Sequence, residues 1–449
     1  MSRTIREPAR DVPIADEVDV LSVGGSATGV FAAVAAARLG MRAAVIERQG
    51  FFGGTATAGL VAIWHGLRDT AGRREVIGGL TREVIERLRA RDAVDERPDH
   101  FVLNTEELKI ELDRLVIDAG VQPFLNTWYA GAVAEDGRPV AAIIQDKSGR
   151  RAVRARCFID ASGDGDLIRD LGLTAEKWDD LQPPTTCARF SGLQAALARA
   201  PGLSIENAVF NEATGDRLPL GFLWSANLPG VGDAVMVAGT RVPGADCSEA
   251  DQLTRAEIEG RRQVRVIHDA LRERLPEGRS IGLDALPATI GVRETRHARC
   301  LHRITESELL GGVRFPDAIA NGTYRVDVHH SDKPGLTFRY LDGRETYHVP
   351  GRLSVEGRWR EPTGEDPTFY QVPYRCLVPR GACNVLVAGR LIDADRGAYG
   401  ALRVMVNCNQ FGEAAGTAAA LSLQAGTDVA SVDAQSLRRA LAAAGAVVI

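Results

Sequence analysis

Several features that mark other classes of protein are missing from this 449-residue chain. Its seven cysteines are scattered and odd in number, with no C-x-x-C pair, which argues against a zinc site and a redox disulfide and favours reduced thiols. No segment approaches the roughly 20 apolar residues that span a bilayer, and the polar stretch 1–17 lacks the apolar centre of a signal peptide. A net charge of −5 gives no basic surplus for nucleic acid. We expect a cytoplasmic protein with no metal, membrane or nucleic-acid partner.

The clearest pattern that is present is an apolar strand running into a glycine turn and a helix. The strand covers 18–23, an alanine-rich helix follows at 30–39, and a second strand, Ala43 to Ile46, ends at Glu47. In such a βαβ unit the turn and the helix N-terminus face a pyrophosphate, and an acid about 20 residues later accepts ribose hydroxyls. Glu47 follows the first glycine by 23 residues, with Arg48 next. The turn reads Gly24, Gly25, Ser26, Ala27, Thr28 and Gly29, so serine replaces the middle glycine of G-x-G-x-x-G.

Three further segments are dense in small residues. The first, 50–60, contains Gly53, Gly54 and Thr55 and permits close backbone approach to a flat, bulky ligand. The second follows a buried strand, 157–160, and is either a second contact with the dinucleotide or a tight solvent turn; it contains Ser162, Gly163 and Asp164. The third follows the strand 384–388 with Gly389 and Arg390, and continues at 409–416 into a predicted helix start with free N–H groups, including Gly412 and Ala415.

The rest of the chain predicts one helix and a small meander before a long middle region. Apolar spacing predicts a helix over 105–119 with Thr105 as its N-cap. Short strands are expected at 121–125, 130–134, 140–145 and 151–155. The region 173–360 carries a long charged helix at 250–275 and loops rich in Arg, His and Tyr. We expect this region to cover the ligand and shape a substrate pocket.

The order of these motifs resembles that of the FAD-dependent oxidoreductase family, within the glutathione-reductase-type flavoproteins and on the side that includes fumarate reductases. The likeness runs from about 18 to 426, and its further motifs lie at 291–296, 315–320, 327–329 and 372–375. The resemblance implies non-covalent FAD with its adenine end at Gly24 to Glu47. Two places depart from the family pattern: Ser26 crowds the pyrophosphate approach, and 391–396 is unusually charged. A separate NAD module is not expected, because no second G-x-G-x-x-G lies in the middle region.

The expected fold class is therefore α/β: a Rossmann-like FAD-binding domain of glutathione-reductase type with an inserted α+β substrate domain. The first part of the FAD domain would cover 1–172, the substrate or cap domain 173–360, and the second part of the FAD domain 361–449. The oligomeric state stays open.

The catalytic candidates are histidines, an arginine and a tyrosine, because a flavin carries the redox step and the protein supplies proton transfer and orientation. His329 and His330 are adjacent, so on a strand only one can enter a pocket; the alternative is a surface or packing role. His65 would contact the flavin, even covalently, or pack beside Trp64. Arg293 would hold an anionic substrate or the electron-rich edge of the flavin, or it would form salt bridges. Tyr374 would line a pocket or fill it.

The preferred function is transfer of a hydride from a small polar organic substrate to flavin N5, followed by reoxidation with oxygen, a quinone or another acceptor. Two alternatives remain open. One is a flavin-dependent reductase of an activated C=C bond, and the other is a non-redox or RNA-modifying flavoprotein.

Overall fold

A computed structural model describes residues 4–212 and 214–449. Within them the α-helices are, in chain order, α1 (Ala27–Arg38), α2 (Gly79–Arg89), α3 (Thr105–Asp118), α4 (Asp166–Asp170), α5 (Leu193–Ala198), α6 (Ile205–Val209), α7 (Ala250–Arg274), α8 (Glu306–Leu310), α9 (Arg396–Leu402), α10 (Met405–Ala425) and α11 (Ala434–Ala443). No helix in this described part of the chain is both long and apolar enough to span a membrane.

The same described residues also contain the strands of the fold. In chain order they are β1 (Ile14–Val23), β2 (Ala43–Ile46), β3 (Ile63–His65), β4 (Val94–Glu96), β5 (His100–Leu103), β6 (Gln122–Phe124), β7 (Trp128–Glu135), β8 (Arg138–Asp146), β9 (Gly149–Asp160), β10 (Ala175–Glu176), β11 (Cys187–Ser191), β12 (Trp224–Asn227), β13 (Val235–Ala238), β14 (Gly282–Ala285), β15 (His297–Ala298), β16 (Ala318–Gly322), β17 (Val326–His329), β18 (Leu336–Arg339), β19 (Arg344–His348), β20 (Val355–Arg358), β21 (Tyr370–Pro373) and β22 (Val385–Val387).

A parallel sheet forms the centre of the molecule. Its order is β6-β2-β1-β9, with β22 parallel to the end of β9 and the meander β7-β8 antiparallel to its beginning. Both faces of the sheet are buried, which suits parallel strands rich in Val, Leu and Ile. Val20 packs on the face covered by α1 and α10, and Leu21 packs on the face covered by β8 and α4. The fold is thus mixed α/β, as the sequence predicts.

Helices α1 and α10 pack unusually closely because small residues line their contact. A Cβ on Gly412 would overlap the backbone of Thr28, and one on Gly416 would overlap the backbone of Ala32. Ten of the twelve residues of α1 are buried. The small residues of both helices are therefore explained by the close packing of α1 against α10.

Two antiparallel sheets come from the middle of the chain. One has the order β12-β13-β11-β14, and α7 packs on it through Val264, Ile267 and Leu271. The other has the order β17-β18-β19-β20. Smaller sheets are β3-β5-β4, β16-β21 and β10-β15. These sheets contribute the second half of the cavity described below.

Four sequence predictions of local structure were wrong. Helix α1 begins at Ala27, not at 30, with Ser26 as its N-cap. The side chain of Asn104, not Thr105, caps α3 by accepting from the N–H groups of Glu106 and Glu107. The strands expected at 151–155 and 157–160 are one continuous strand, β9. Helix α10 begins at Met405 rather than near 409, so the small-residue segment 412–416 lies inside the helix.

Candidate functional site: a cavity between the parallel sheet and the middle sheets

A cavity of about 540 Å³ opens at the carboxyl ends of the parallel strands. Its wall includes the residues at the ends of β1, β2, β9 and β22, together with side chains from the middle sheets. In open α/β sheets this edge is where ligands bind, and the volume falls in the roughly 300–1,000 Å³ range of small-molecule sites.

The glycine turn after β1 forms one wall of the cavity. Its backbone passes so close to neighbouring segments of the chain that side chains would not fit. Gly24 has φ +107°, and a Cβ there would overlap the backbone of Ala161. A Cβ on Gly25 would lie 2.6 Å from the Cβ of Glu47. Ser26 makes no side-chain cap hydrogen bond to α1, so the N-terminal amide groups of this helix are available to an anionic ligand. Ala27 and Thr28 also line the cavity, whereas Gly29 is not part of its wall.

Glu47 is a buried carboxylate with two backbone donors. Its Oε2 accepts from the N–H of Gly25 at 3.0 Å and its Oε1 accepts from the N–H of Gln49 at 2.8 Å. Burial raises its pKa, while these amide donors and Arg48 lower it. The remaining lone pairs can accept hydroxyl groups. Arg48 lines the same end of the cavity, with its guanidinium carbon 5.8 Å from the ring centre of Trp128.

The segment after Phe52 packs directly on the glycine turn. The N–H of Gly53 donates to the carbonyl of Gly25 at 2.9 Å. Gly53 and Gly54 have φ +115° and +57°, and a Cβ on Gly54 would lie 2.6 Å from that of Ser26. Gly53, Gly54 and Thr55 all line the cavity.

Arg390 and Asp164 form an ion pair in the wall near the end of β9. The Nη2 of Arg390 lies 3.0 Å from the Oδ1 of Asp164, which also accepts from the hydroxyl of Thr295 at 2.9 Å. Gly163 has φ +82°, and a Cβ there would lie 2.5 Å from the same Nη2. Ser162, Gly163, Asp164, Gly389 and Arg390 line the cavity. The Nη1 of Arg390 is buried without a partner in the described chain.

Asp327 and His329 lie on one face of β17 and both line the cavity. The Nε2 of His329 is 3.3 Å from the Oδ1 of Asp327. The Oδ2 of Asp327 accepts from the hydroxyl of Tyr324 at 3.0 Å and from the Nη2 of Arg403 at 3.2 Å. Although burial opposes its ionisation, His329 and Arg403 hold the pKa of Asp327 far below its usual value. Burial, and then Arg293, lower the pKa of His329 to about 3.

Arg293 and His65 also line the cavity. The Nη1 of Arg293 donates to the carbonyl of Pro183 at 2.5 Å and to the hydroxyl of Thr185. The ring of His65 lies 4.0 Å from that of Tyr324, at an interplanar angle of 31°. Burial, and then Arg325, lower the pKa of His65 to about 3. We call Arg293, Arg325, Asp327, His329 and Arg403 the arginine wall.

The structure does not bring five other predicted residues to the cavity. His330 points away from His329, and its Nε2 lies 2.8 Å from the hydroxyl of Thr337. Tyr374 is buried in the core, where its hydroxyl donates to the carbonyl of Val429 at 2.8 Å. Gly412 and Ala415 lie within α10, where small residues admit α1. Only glycine fits at position 29, because a Cβ there would overlap the carbonyl oxygen of Gly24.

The cavity wall also contains three side chains that the sequence did not single out, those of Asp327, Tyr324 and Arg325. One signal was available: Asp327 and His329 are two residues apart, and alternate residues of a strand share a face. Asn409, at the beginning of α10, also lines the cavity, and its Nδ2 is buried without a partner in the described chain. The sequence pattern placed the start of this helix near 409, whereas α10 begins at Met405. The position of Asn409 in the cavity wall therefore became visible only in the structure.

A model of the FAD-dependent oxidoreductase family matches residues 19–441. The chain therefore belongs to this family, and FAD is its cofactor. The residues of the cavity fit this group: the glycine turn leaves no room for side chains, the first turn of α1 offers amide groups, and Glu47 can accept ribose hydroxyls. Buried donors of Arg390 and Asn409 have no partner among the described residues, and they suit the polar edge of a flavin. No group of His, Cys, Asp and Glu side chains within 4–212 and 214–449 could hold a metal ion.

The chain is similar to several solved structures at low identity. A geranylgeranyl bacteriochlorophyll reductase-like protein from Thermoplasma acidophilum is 13% identical, with 94% of this chain and 83% of that chain covered and a TM-score of 0.48. A p-nitrophenol 4-monooxygenase from Pseudomonas putida is 12% identical, with coverage of 95% and 85% and a TM-score of 0.43. A flavin-dependent brominase is 12% identical, with coverage of 94% and 83% and a TM-score of 0.45. No curated protein matches the chain.

Proposed function

We propose that this flavoprotein is a dehydrogenase or oxidase that takes a hydride from a small polar organic substrate, with His329 as the proton acceptor. The observation that carries the proposal is the enclosed pair of Asp327 and His329 in the cavity wall, 3.3 Å apart. When bound, FAD supplies the hydride acceptor at N5 and passes the electrons to oxygen, a quinone or another acceptor.

His329 is in the neutral form at pH 7, which a general base requires. Because its pKa is lowered to about 3, the imidazole is neutral at pH 7 and one ring nitrogen holds a free lone pair. An ionised carboxylate only accepts hydrogen bonds, so the Nε2 facing Asp327 carries the proton and Nδ1 is the nitrogen that accepts one. The neighbouring carboxylate then stabilises the imidazolium that forms, as the orienting acid does in other histidine dyads.

Asp327 is in turn held by Arg403 and Tyr324, which fix the direction of its carboxylate. In this scheme Asp327 is a positioning residue, because it acts on the substrate only through His329. Arg293 binds and orients the substrate, since a guanidinium offers several donors in a fixed plane. His65 and Tyr324 stack beside this site and help to exclude water.

We also propose the finer fold assignment of a glutathione-reductase-type flavoprotein, with the FAD domain in 1–172 and 361–449 and the substrate domain in 173–360. The pairing of β22 with β9 and the close contact of α10 with α1 support a domain built from both ends of the chain.

The test is anaerobic bleaching of the flavin absorption by a panel of small alcohols, amines and hydroxy acids, followed by exposure to air. The expected result is bleaching by at least one compound and slower bleaching by the His329→Gln variant, with His330→Gln as a matched control. Protein that takes up no FAD, or that is bleached by no compound, would overturn the proposal. Reoxidation of dithionite-reduced protein by an enoate, without any bleaching, would favour a C=C reductase instead.

An Asp327→Asn variant separates positioning from a merely structural role. It removes the charge that holds the Nε2 proton and stabilises the imidazolium, so the bleaching rate should fall and its pH dependence should change. A uniform loss of stability with an unchanged pH profile would contradict this assignment.

A further inference from the structure

The arginine wall carries more positive than negative charge. Three guanidiniums, those of Arg293, Arg325 and Arg403, line the cavity around a single buried carboxylate, that of Asp327. The imidazole of His329 adds no charge at pH 7, because its pKa is about 3. Of these arginines, Arg403 contacts the carboxylate directly. Two guanidiniums are left without a counter-ion among the residues that the structure describes.

Arg293 is the first of the two. Its only hydrogen bonds to described residues are to neutral oxygens, the carbonyl of Pro183 and the hydroxyl of Thr185. Burial, and then the charge of Arg403, lower its pKa to about 9, so the group stays protonated at neutral pH. An enclosed cation held only by neutral groups is costly unless a ligand neutralises it.

Arg325 is the second. Its guanidinium carbon lies 4.0 Å from the ring centre of Phe338 and 5.1 Å from that of Tyr324. Its Nε is buried without a hydrogen-bond partner, and it forms no ion pair within the described chain. Cation–π contacts hold the plane of the guanidinium and leave its N–H edge free for an anion.

The remaining acid near this wall does not cancel the excess. Asp99 also lines the cavity, but its side chain is 80% exposed and lies 2.8 Å from His100. Solvent therefore screens its charge far more than the charges of the enclosed arginines. Apolar surface adjoins the wall through Phe222 and Trp224.

We propose that the substrate is an organic carboxylate, whose anionic group is bound by Arg293 and Arg325 and whose apolar body lies against Phe222 and Trp224. The inference rests on the proposed function in that it names the class of compound that this site oxidises. It adds a requirement that the oxidation alone does not impose: the substrate must bring a negative charge into the cavity.

The test measures binding rather than turnover. FAD-loaded protein is titrated anaerobically with three acid and amide pairs of matched shape: acetate and acetamide, hexanoate and hexanamide, phenylacetate and phenylacetamide. Binding is followed by the change in flavin absorption and by the shift in melting temperature. Because a hydrogen bond between two charged groups is stronger than one to a neutral amide, at least one acid should bind about tenfold more tightly than its amide. If no acid binds more tightly than its amide, the proposal is wrong.

Variants assign the effect to residues. Arg293→Met and Arg325→Met should each reduce the acid-over-amide ratio by about tenfold, and Arg293→Lys should restore part of it. Arg352→Met is the matched control, since Arg352 is exposed and outside the cavity, and it should leave the ratio unchanged. An unchanged ratio in both cavity variants would overturn the assignment. Should a variant fail to take up FAD, the wild-type pairs still decide the proposal.

The two proposals fail in different ways. Tight acid binding without bleaching by any compound would contradict the oxidation and keep the carboxylate site. Bleaching by neutral compounds, with equal binding of acids and amides, would keep the oxidation and contradict the carboxylate site.

Discussion

Glu413 lies in the small-residue segment that the sequence assigns to the cofactor, yet the structure places its carboxylate at the beginning of α2. The side chain is 2% exposed, and its Oε2 accepts from the N–H of Leu80 at 3.1 Å. Gly79 has φ +59°, and a Cβ there would overlap the carboxylate. The carboxylate of Glu413, on α10, thus caps the N-terminus of α2. Burial raises its pKa from 4.5 to about 7, while Leu80 and Arg38 oppose the change.

The consequence is a pH-dependent contribution to stability. The native state holds the proton of Glu413 more tightly than the unfolded chain does, so the contribution is fully present below pH 4.5 and is lost as the pH rises to 7. At about 1.4 kcal/mol for each tenfold change in proton affinity, the loss is about 3 kcal/mol. In Glu413→Gln the amide keeps an oxygen for Leu80 and does not titrate. The variant should therefore gain stability relative to wild type as the pH rises.

Thermal unfolding at pH 5 and pH 8 measures this difference. With an unfolding entropy of about 2.1 cal/mol/K per residue, the melting temperature of Glu413→Gln relative to wild type should rise by about 3 °C between the two pH values. Glu86→Gln, on the exposed face of α2, is the matched control and should show no such rise. Parallel pH dependence of wild type and Glu413→Gln would refute the reasoning.

Three further outcomes are expected. Gly412→Ala should lower the free energy of unfolding by about 1–3 kcal/mol, because its Cβ would overlap the backbone of α1. The control Gly357→Ala has open space around the new Cβ and should not lower it. Equal melting temperatures of the two variants would contradict the predicted overlap. Glu47→Gln should weaken FAD binding about tenfold in a fluorescence titration, since its amide cannot accept every hydrogen bond of the carboxylate; an unchanged dissociation constant would count against ribose recognition. His329→Gln should slow anaerobic bleaching by about 10²–10⁴-fold, while His330→Gln should not; equal rates would remove His329 as the base.

Local patterns predicted the glycine-turn end of the cavity well. The turn 24–28, the strand end at Glu47 and the segment 53–55 all line it. Each is contiguous in sequence, and each marks the end of an apolar strand or a conformation that only glycine adopts easily. The same locality explains why β2 was predicted to the residue and α7 to within one residue.

Predictions that rested on composition alone were weaker. The small residues of 412–416 are equally suited to a cofactor and to a neighbouring helix, and only the contact of α10 with α1 separates the two. Tyr374 illustrates the same limit, because its hydroxyl finds a carbonyl partner in the core, 55 residues away in the chain.

The sequence by itself determined the βαβ unit, because a turn, a strand end and an acid at fixed spacing are encoded in one contiguous stretch. It also determined the family and the cofactor, because the glycine-rich motifs follow one another in a fixed order along the chain. The tertiary structure decided the arginine wall. Arg403 reaches Asp327 across 76 residues of sequence, and Arg293 comes from a separate segment before β15. Whether each guanidinium has a counter-ion depends on which carboxylates lie within a few ångströms, and that distance exists only once the chain has folded.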